Sequence, residues 1–229
     1  MPTSASGARS PDARLPSARA GAGAGVGAGA GVGAGASGGD LPMTDQPASD
    51  DRFQALLEQS PSDLAARTIL RPASQRDWPR IDRWLTQLEI ARWWGSRSAA
   101  QAAVIAALDA PMSLCSIVEV DDTAVGYAHA LEADAHGGFP AKRDITGCYR
   151  IDAFVGEASY RGRGIGGTAL RLVTTEVFQT TLAIAAVAVV SIRNEAAVRA
   201  HEKANFNWVR VVQDPLLGPC WLLRRERAG

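Results

Sequence analysis

The sequence predicts a single mixed α/β domain behind a low-complexity N-terminal tail. Two observations predict it. Runs with strand-like alternation and runs with helical spacing follow one another in the order β-αα-β-β-β-α-β-α-β-β. At the centre of that order, an apolar strand, a glycine-rich turn, a helix and a second apolar strand are consecutive. The 229 residues suffice for one ordinary domain plus an appendage.

The elements follow in chain order. "DRFQALLEQ" (51–59) is a short helix candidate that ends at a Ser-Pro-Ser break, and "RTILRPA" (67–73) alternates like a strand. In "SQRDWPRIDRWLTQLEIARWWG", Ser74 and Asp77 have capping-box spacing, and Trp78, Ile81, Leu85 and Leu88 recur at helical spacing until Gly95. A second short helix is expected over 99–108. "SLCSIVEV", "DDT" and "AVGYAHAL" read as strand, turn and strand, a hairpin signal. A polar excursion (132–144) precedes the strand "TGCYRIDAFVG". The glycine turn "SYRGRGIGGTAL" (159–170) then leads into a helix with Leu170, Val173 and Val177 on one face. "LAIAAVAVV" is a buried strand by length and β-branching, "NEAAVRAHEKANF" a short helix, and "WVRVVQ" and "PCWLLRR" two closing strands.

Residues 1–50 are expected to be a disordered tail and 51–229 one folded domain. "AGAGAGVGAGAGVGAGASGG" (20–39) carries no side chains able to bury a core. Met43 begins "MTDQPASDDRFQALL", which reads like a protein start, so the Gly-Ala tract is expected to be an upstream extension. The formal net charge is zero, so nothing in bulk electrostatics draws the chain to nucleic acid or to an anionic membrane. The longest strongly apolar run, 182–190, is about half of what a membrane helix needs. Cys115, Cys148 and Cys220 are odd in number and far apart, which fits inert thiols in a reducing compartment and neither a disulfide framework nor a metal site. A cytoplasmic monomer or homodimer is expected.

The glycine turn admits three readings. A P-loop needs G-K-[ST], and no lysine precedes Thr168. Gly162, Gly164 and Gly167 satisfy the dinucleotide fingerprint. That reading, however, needs the first strand–helix turn of the sheet and an acid about twenty residues on, where "LAIAAVAVV" has none. The third reading is R-x-x-G-x-G, supplied by Arg161, Gly164 and Gly166. Amides at a helix start and the helix dipole together accept a pyrophosphate, and glycine lets it approach the backbone.

This motif after the fourth core strand, followed some thirty residues later by "NEAAVRAHEKANF", resembles the GNAT N-acetyltransferase superfamily over roughly 67–225. The second signature departs from the usual pattern at Asn205, where glycine is common. "EIARWWGSRSAA", "VGYAHA", "YRIDAFVGEASYRGRGIGGTALRLV" and "GPCWLLRRER" look like the aminoglycoside 6′-N-acetyltransferase branch. The resemblance implies a central, mostly antiparallel sheet flanked by helices, with acetyl-CoA as co-substrate and a small-molecule amine as acceptor.

It also implies roles for individual residues. Arg161, Gly162, Arg163, Gly164, Ile165, Gly166 and Gly167 would take the pyrophosphate, with both arginines as charge partners. Phe154 and Val155 lie on the strand that would bond the pantetheine arm, and Asn194 would hydrogen-bond the cofactor or cap its helix. Asp152, mid-strand among apolar residues, would bind the amine and act as base; pairing with Arg150 is the plainer alternative. His201 stands where a tyrosine is usual as proton donor to the leaving thiol. Trp93 and Trp94 would wall the acceptor site. An acid expected after the fifth strand falls at the apolar 189–190 region, which favours a smaller or less charged amine. An acceptor on a peptide, or binding of acyl-CoA without catalysis, remain the alternatives.

Overall fold

The computed structural model describes residues 60–134 and 145–228. The tail, the 51–59 helix candidate and most of the polar excursion lie outside the described residues. The seven strands are β1 (Thr68–Pro72), β2 (Leu114–Val120), β3 (Thr123–Glu132), β4 (Cys148–Val155), β5 (Ala185–Ser191), β6 (Asn207–Asp214) and β7 (Gly218–Glu226). They form one sheet in the order β1-β2-β3-β4-β5-β7-β6. Every neighbouring pair is antiparallel except β4–β5. Because β4 and β5 run the same way, a crossover must join them, and helix α5 (Ile165–Thr180) supplies it.

That parallel pair sets up the site. Its ladder holds only Cys148↔Ala185, Tyr149↔Ala186 and Arg150↔Val187, while β3 stays paired with β4 as far as Val155. Beyond Arg150 the two parallel strands separate, and the β5-facing edge of β4 is left without a strand partner.

The sheet is covered on both faces. Ile165, Ala169, Leu170, Val173 and Val177 of α5 pack on Val118, Ala128, Ile151 and Ala186, so the predicted helical stripe is the one that buries. On the opposite face, α2 (Trp78–Leu85), α3 (Leu88–Trp94) and α4 (Arg97–Asp109) bring Ile81, Trp84, Leu85, Ile90 and Val104 onto Ile117, Tyr127 and Phe154. A further short helix, α1 (Pro61–Ala66), adds Leu64 to the α5 side, and α6 (Glu195–Lys203) follows β5.

The hairpin is as read: Asp121 and Asp122 both take positive φ, 49° and 59°, the primed-turn geometry that matches strand twist. The single helix expected from Ser74 to Trp94 is instead three pieces. A 3-10 turn at Gln75–Asp77 precedes α2, and Gln87, extended at ψ 132°, separates α2 from α3. That break resets the helical phase, so Leu88, expected on the core face, is 81% exposed, and Ile90 is buried in its place. Asp77 does accept the backbone N–H of Ser74 at 2.9 Å. It also binds Arg71, which spans to Glu119, tying the helical layer to β1 and β2.

Candidate active site

Side chains alternate along β4, so Ile151 and Ala153 face α5 while Asp152 and Phe154 face the other layer with Tyr127 and His129 of β3. Asp152 lies two residues past the last β4–β5 pair, within the separation, and registers opposite His129. Its Oδ2 accepts from Arg150 Nε at 2.6 Å and is 3.4 Å from His129 Nε2. Burial alone would raise the pKa of this carboxyl. The Arg150 guanidinium and the His129 ring outweigh burial and hold it at about 2, so Asp152 is an anion across the ordinary pH range. The Arg150 pairing expected as the plainer alternative is therefore present, and it sharpens the negative charge without removing it.

His129 is the residue that sequence reasoning missed. It is 3% exposed, and its Nδ1 has no partner. Its ring stands edge-on to Trp94 at 5.6 Å, and Trp94 in turn stands perpendicular to Phe154 at 5.0 Å. Trp94 thus braces the His129–Asp152 pair from the helical layer. Trp93 carries the Arg92 guanidinium over its own ring, 4.4 Å from the centroid.

Beyond β4, the amides of Gly156 and Glu157 both donate to the Val125 carbonyl, which turns the chain away from the sheet. A 3-10 turn (Ala158–Tyr160) leads to the glycine turn, where Gly164 at φ 82° is the N-cap of α5. Glycine has no side chain to cap with, so the first-turn amides of a 16-residue helix lack a side-chain acceptor. Arg161, expected as a charge partner for phosphate, also binds the backbone of the turn. Its Nε donates to the Val155 carbonyl at 3.0 Å and its Nη2 to the Gly156 carbonyl at 2.9 Å, with a further bond to Gln87. The guanidinium therefore holds the turn against the strand end and the α2–α3 break.

The glycines differ in purpose. A Cβ on Gly166 would meet nothing nearer than Val155 Cγ2 at 3.9 Å, whereas one on Gly167 would stand 3.2 Å from the Ala200 carbonyl oxygen. Gly166 leaves space in front of the helix start; Gly167 lets α5 and α6 approach each other. The Ile165 side chain is buried in the core, so only its backbone faces outward chemistry.

On α6, Asn194 accepts the Ala197 amide through Oδ1 at 3.2 Å, the N-cap reading, which leaves its Nδ2 donor for a ligand. His201 is 5% exposed. Its Nδ1 lies 2.8 Å from the Ala197 carbonyl, and its Nε2 is buried with no partner.

A cleft of about 510 Å³ brings these elements together. Trp93, Trp94, Phe154, Val155, Arg161, Gly162, Gly164, Gly166, Gly167, Asn194 and His201 all line it. Asp152, Arg163 and Ile165 are not in the lining, although Ala153, next to Asp152, is. Arg92, Arg199 and Lys203 add positive charge that the sequence reading had not assigned; the i, i+4 spacing of Arg199 and Lys203 was the available signal. Uncapped helix amides, open space at Gly166, an unpaired strand edge and nearby cations suit a long anionic ligand with an amide-bearing arm, and CoA has that chemistry. Among the described residues, no cluster of three His, Cys, Asp or Glu could hold a metal ion, and no helix is long and apolar enough to cross a membrane.

Comparison with known proteins agrees with this geometry. The profile of the acetyltransferase (GNAT) domain matches residues 73–214. Aminoglycoside acetyltransferase AAC(6′)-Ib in complex with coenzyme A is similar in structure, with a TM-score of 0.61 and 26% identity over 70% of this chain and 95% of that one. AAC(6′)-Ib with paromomycin and acetyl-CoA gives 0.60 and 25% over 70% and 93%. An aminoglycoside N(6′)-acetyltransferase from Legionella pneumophila shares the fold at 16% identity, with a TM-score of 0.55 over 69% and 91%. No curated protein matches the sequence. With the sheet, its separated parallel pair and the glycine turn where this fold requires them, the chain belongs to the GNAT acetyltransferase family, enzymes that move an acetyl group from acetyl-CoA to an amine.

Proposed function

We propose that the protein acetylates the primary amine of a small cationic molecule, with the 6′-amine of an aminoglycoside as the first acceptor to test. The observation that carries this reading is the ionised Asp152, held by Arg150 and His129 where β4 leaves β5, one residue from the cleft lining. A partly buried anion beside a cleft attracts an ammonium group. The apolar 189–190 stretch of β5, paired with Leu222 and Trp221, offers no second anion and favours an acceptor of low charge.

Acetyl-CoA, when bound, supplies an activated thioester carbonyl. The amides at the start of α5, from Ile165 to Gly167, would hold its pyrophosphate, with Gly166 keeping that approach open. The edge of β4 at Ala153 and Val155, without a strand partner and met only by Arg161 at the Val155 carbonyl, would bond the pantetheine amides as a further strand would. Asp152 orients the ammonium, with Trp94 and Phe154 closing the wall behind it. A carboxyl held at about 2 accepts a proton poorly, so Asp152 acts chiefly as the anchor of the amine.

The test is CoA release with a panel of amines: kanamycin-type sugars, polyamines, single-charge amines and short peptides. Turnover is expected on the small cationic amines, and Asp152→Asn should lower kcat/KM at least about a hundredfold with CoA affinity retained. Turnover on peptides alone, or CoA binding without turnover on any amine, would overturn the reading.

A further inference from the structure

The proton that ends on the leaving sulfur needs a carrier, and the geometry of α6 points to one with the opposite polarity from that expected. We infer that His201 keeps a bare Nε2 beside the cleft and carries a proton from the attacking nitrogen to the sulfur, in place of donating one that it already holds. This rests on the acetyl-transfer reading above.

The tautomer follows from hydrogen bonding. A backbone carbonyl oxygen can only accept, so the 2.8 Å contact between His201 Nδ1 and Ala197 O requires the hydrogen on Nδ1. In the neutral ring Nε2 is then a lone pair. It is buried, unpartnered and part of a residue that lines the cleft. Phe206 stands edge-on to the ring at 5.2 Å and gives it no polar contact. A buried acceptor without a donor is costly unless a ligand supplies one.

The ring's charge state agrees. Burial pushes its pKa below the ordinary imidazole value, against the raising effects of the Ala197 carbonyl and the Asp152 charge. Asp152 on β4 is the anion whose charge reaches it. The other ionisable groups lining the cleft are Glu89 and Arg92 of α3, Arg161 of the glycine turn, and Arg199 and Lys203 of α6 itself. At neutral pH His201 has no proton to spare at Nε2, so one must arrive there before it can leave.

The step balances. An ammonium acceptor sheds two protons: the first leaves to solvent and frees the lone pair that attacks. As the N–C bond forms and the C–S bond breaks, the nitrogen gives its second proton to Nε2. Nε2 then passes that proton to the sulfur, and the ring returns to its neutral state.

The experiment is nitrogen-15 NMR of the ring nitrogens in the full chain labelled at histidine. There are three histidines, so loss of one signal set in His201→Gln assigns the ring. The expected pattern at pH 7 is the Nδ1–H tautomer, with the ring protonating only below the ordinary imidazole range. An Nε2–H tautomer, or an imidazolium at pH 7, overturns the inference whatever the enzyme acetylates. With an active acceptor, kcat should fall as pH drops through the His201 titration, and His201→Gln should lose at least about a hundredfold. His201→Tyr, which brings its own O–H, should recover activity without that acid limb. Activity that is lost on raising the pH through that titration, or undiminished in His201→Gln, also overturns it. A panel with no active amine would instead overturn the acetyl-transfer reading and leave the tautomer result standing.

Discussion

The two adjacent glycines at the start of α5 make opposite predictions from a single methyl group. In Gly166→Ala the new Cβ stands 3.9 Å from Val155 Cγ2 and 4.0 Å from Ala200 Cβ, ordinary contact distances, so the fold tolerates it. Replacing glycine by alanine within a helix gains up to about 1 kcal/mol, and a domain of this size should melt about 2 °C higher. The methyl nevertheless occupies the space in front of the first-turn amides, between two residues of the cleft lining. Losing one charge-assisted amide–phosphate bond costs about 1.5–3 kcal/mol, so CoA should bind between about tenfold and a hundredfold more weakly. In Gly167→Ala the Cβ meets the Ala200 carbonyl oxygen at 3.2 Å and Lys203 Cβ at 3.4 Å, and α6 must shift. Overpacking of about 1–3 kcal/mol exceeds the propensity gain, so this variant should melt a few degrees lower. Thermal melts and CoA calorimetry on both variants decide the matter. CoA affinity unchanged in Gly166→Ala, or a melt raised in Gly167→Ala, would refute the division of labour between the two positions.

Two further predictions concern stability. Asp77 is held at about 2, first by its bond to Arg71, against an ordinary value of 3.8. A depressed carboxyl contributes stability above its unfolded pKa and loses it as pH falls towards the folded one. About 2 kcal/mol should therefore disappear between about pH 4 and pH 2, and Asp77→Asn should flatten that part of a urea-midpoint profile. The second concerns Gly156, where a Cβ would lie 2.2–2.5 Å from the Trp84 ring. Gly156→Ala should cost about 3 kcal/mol in chemical denaturation, and pairing it with Trp84→Leu should restore part of that loss.

Features set by short-range sterics were legible in the sequence. The Asp121–Asp122 hairpin turn, the uncapped glycine start of α5, the Asn194 cap and the apolar stripe of α5 each depend on a few neighbouring residues, and each stands where the pattern put it. Asp152 also stood out in the sequence, as a carboxylate in an apolar strand. What the chain cannot show along its length is which distant residue will stand beside it. His129 joins Asp152 only through the β3–β4 register, and Arg161 finds Gln87 across 74 residues. The first contact is set by strand pairing, and the second reaches Gln87 at the break between α2 and α3. The sequence thus determined which groups are available: glycine amides, a carboxylate, an imidazole. Tertiary structure decided their states. The β3–β4 register sets His129 beside Asp152, where with Arg150 it keeps the carboxylate ionised against the effect of burial, and packing around α6 leaves the His201 Nε2 buried without a partner.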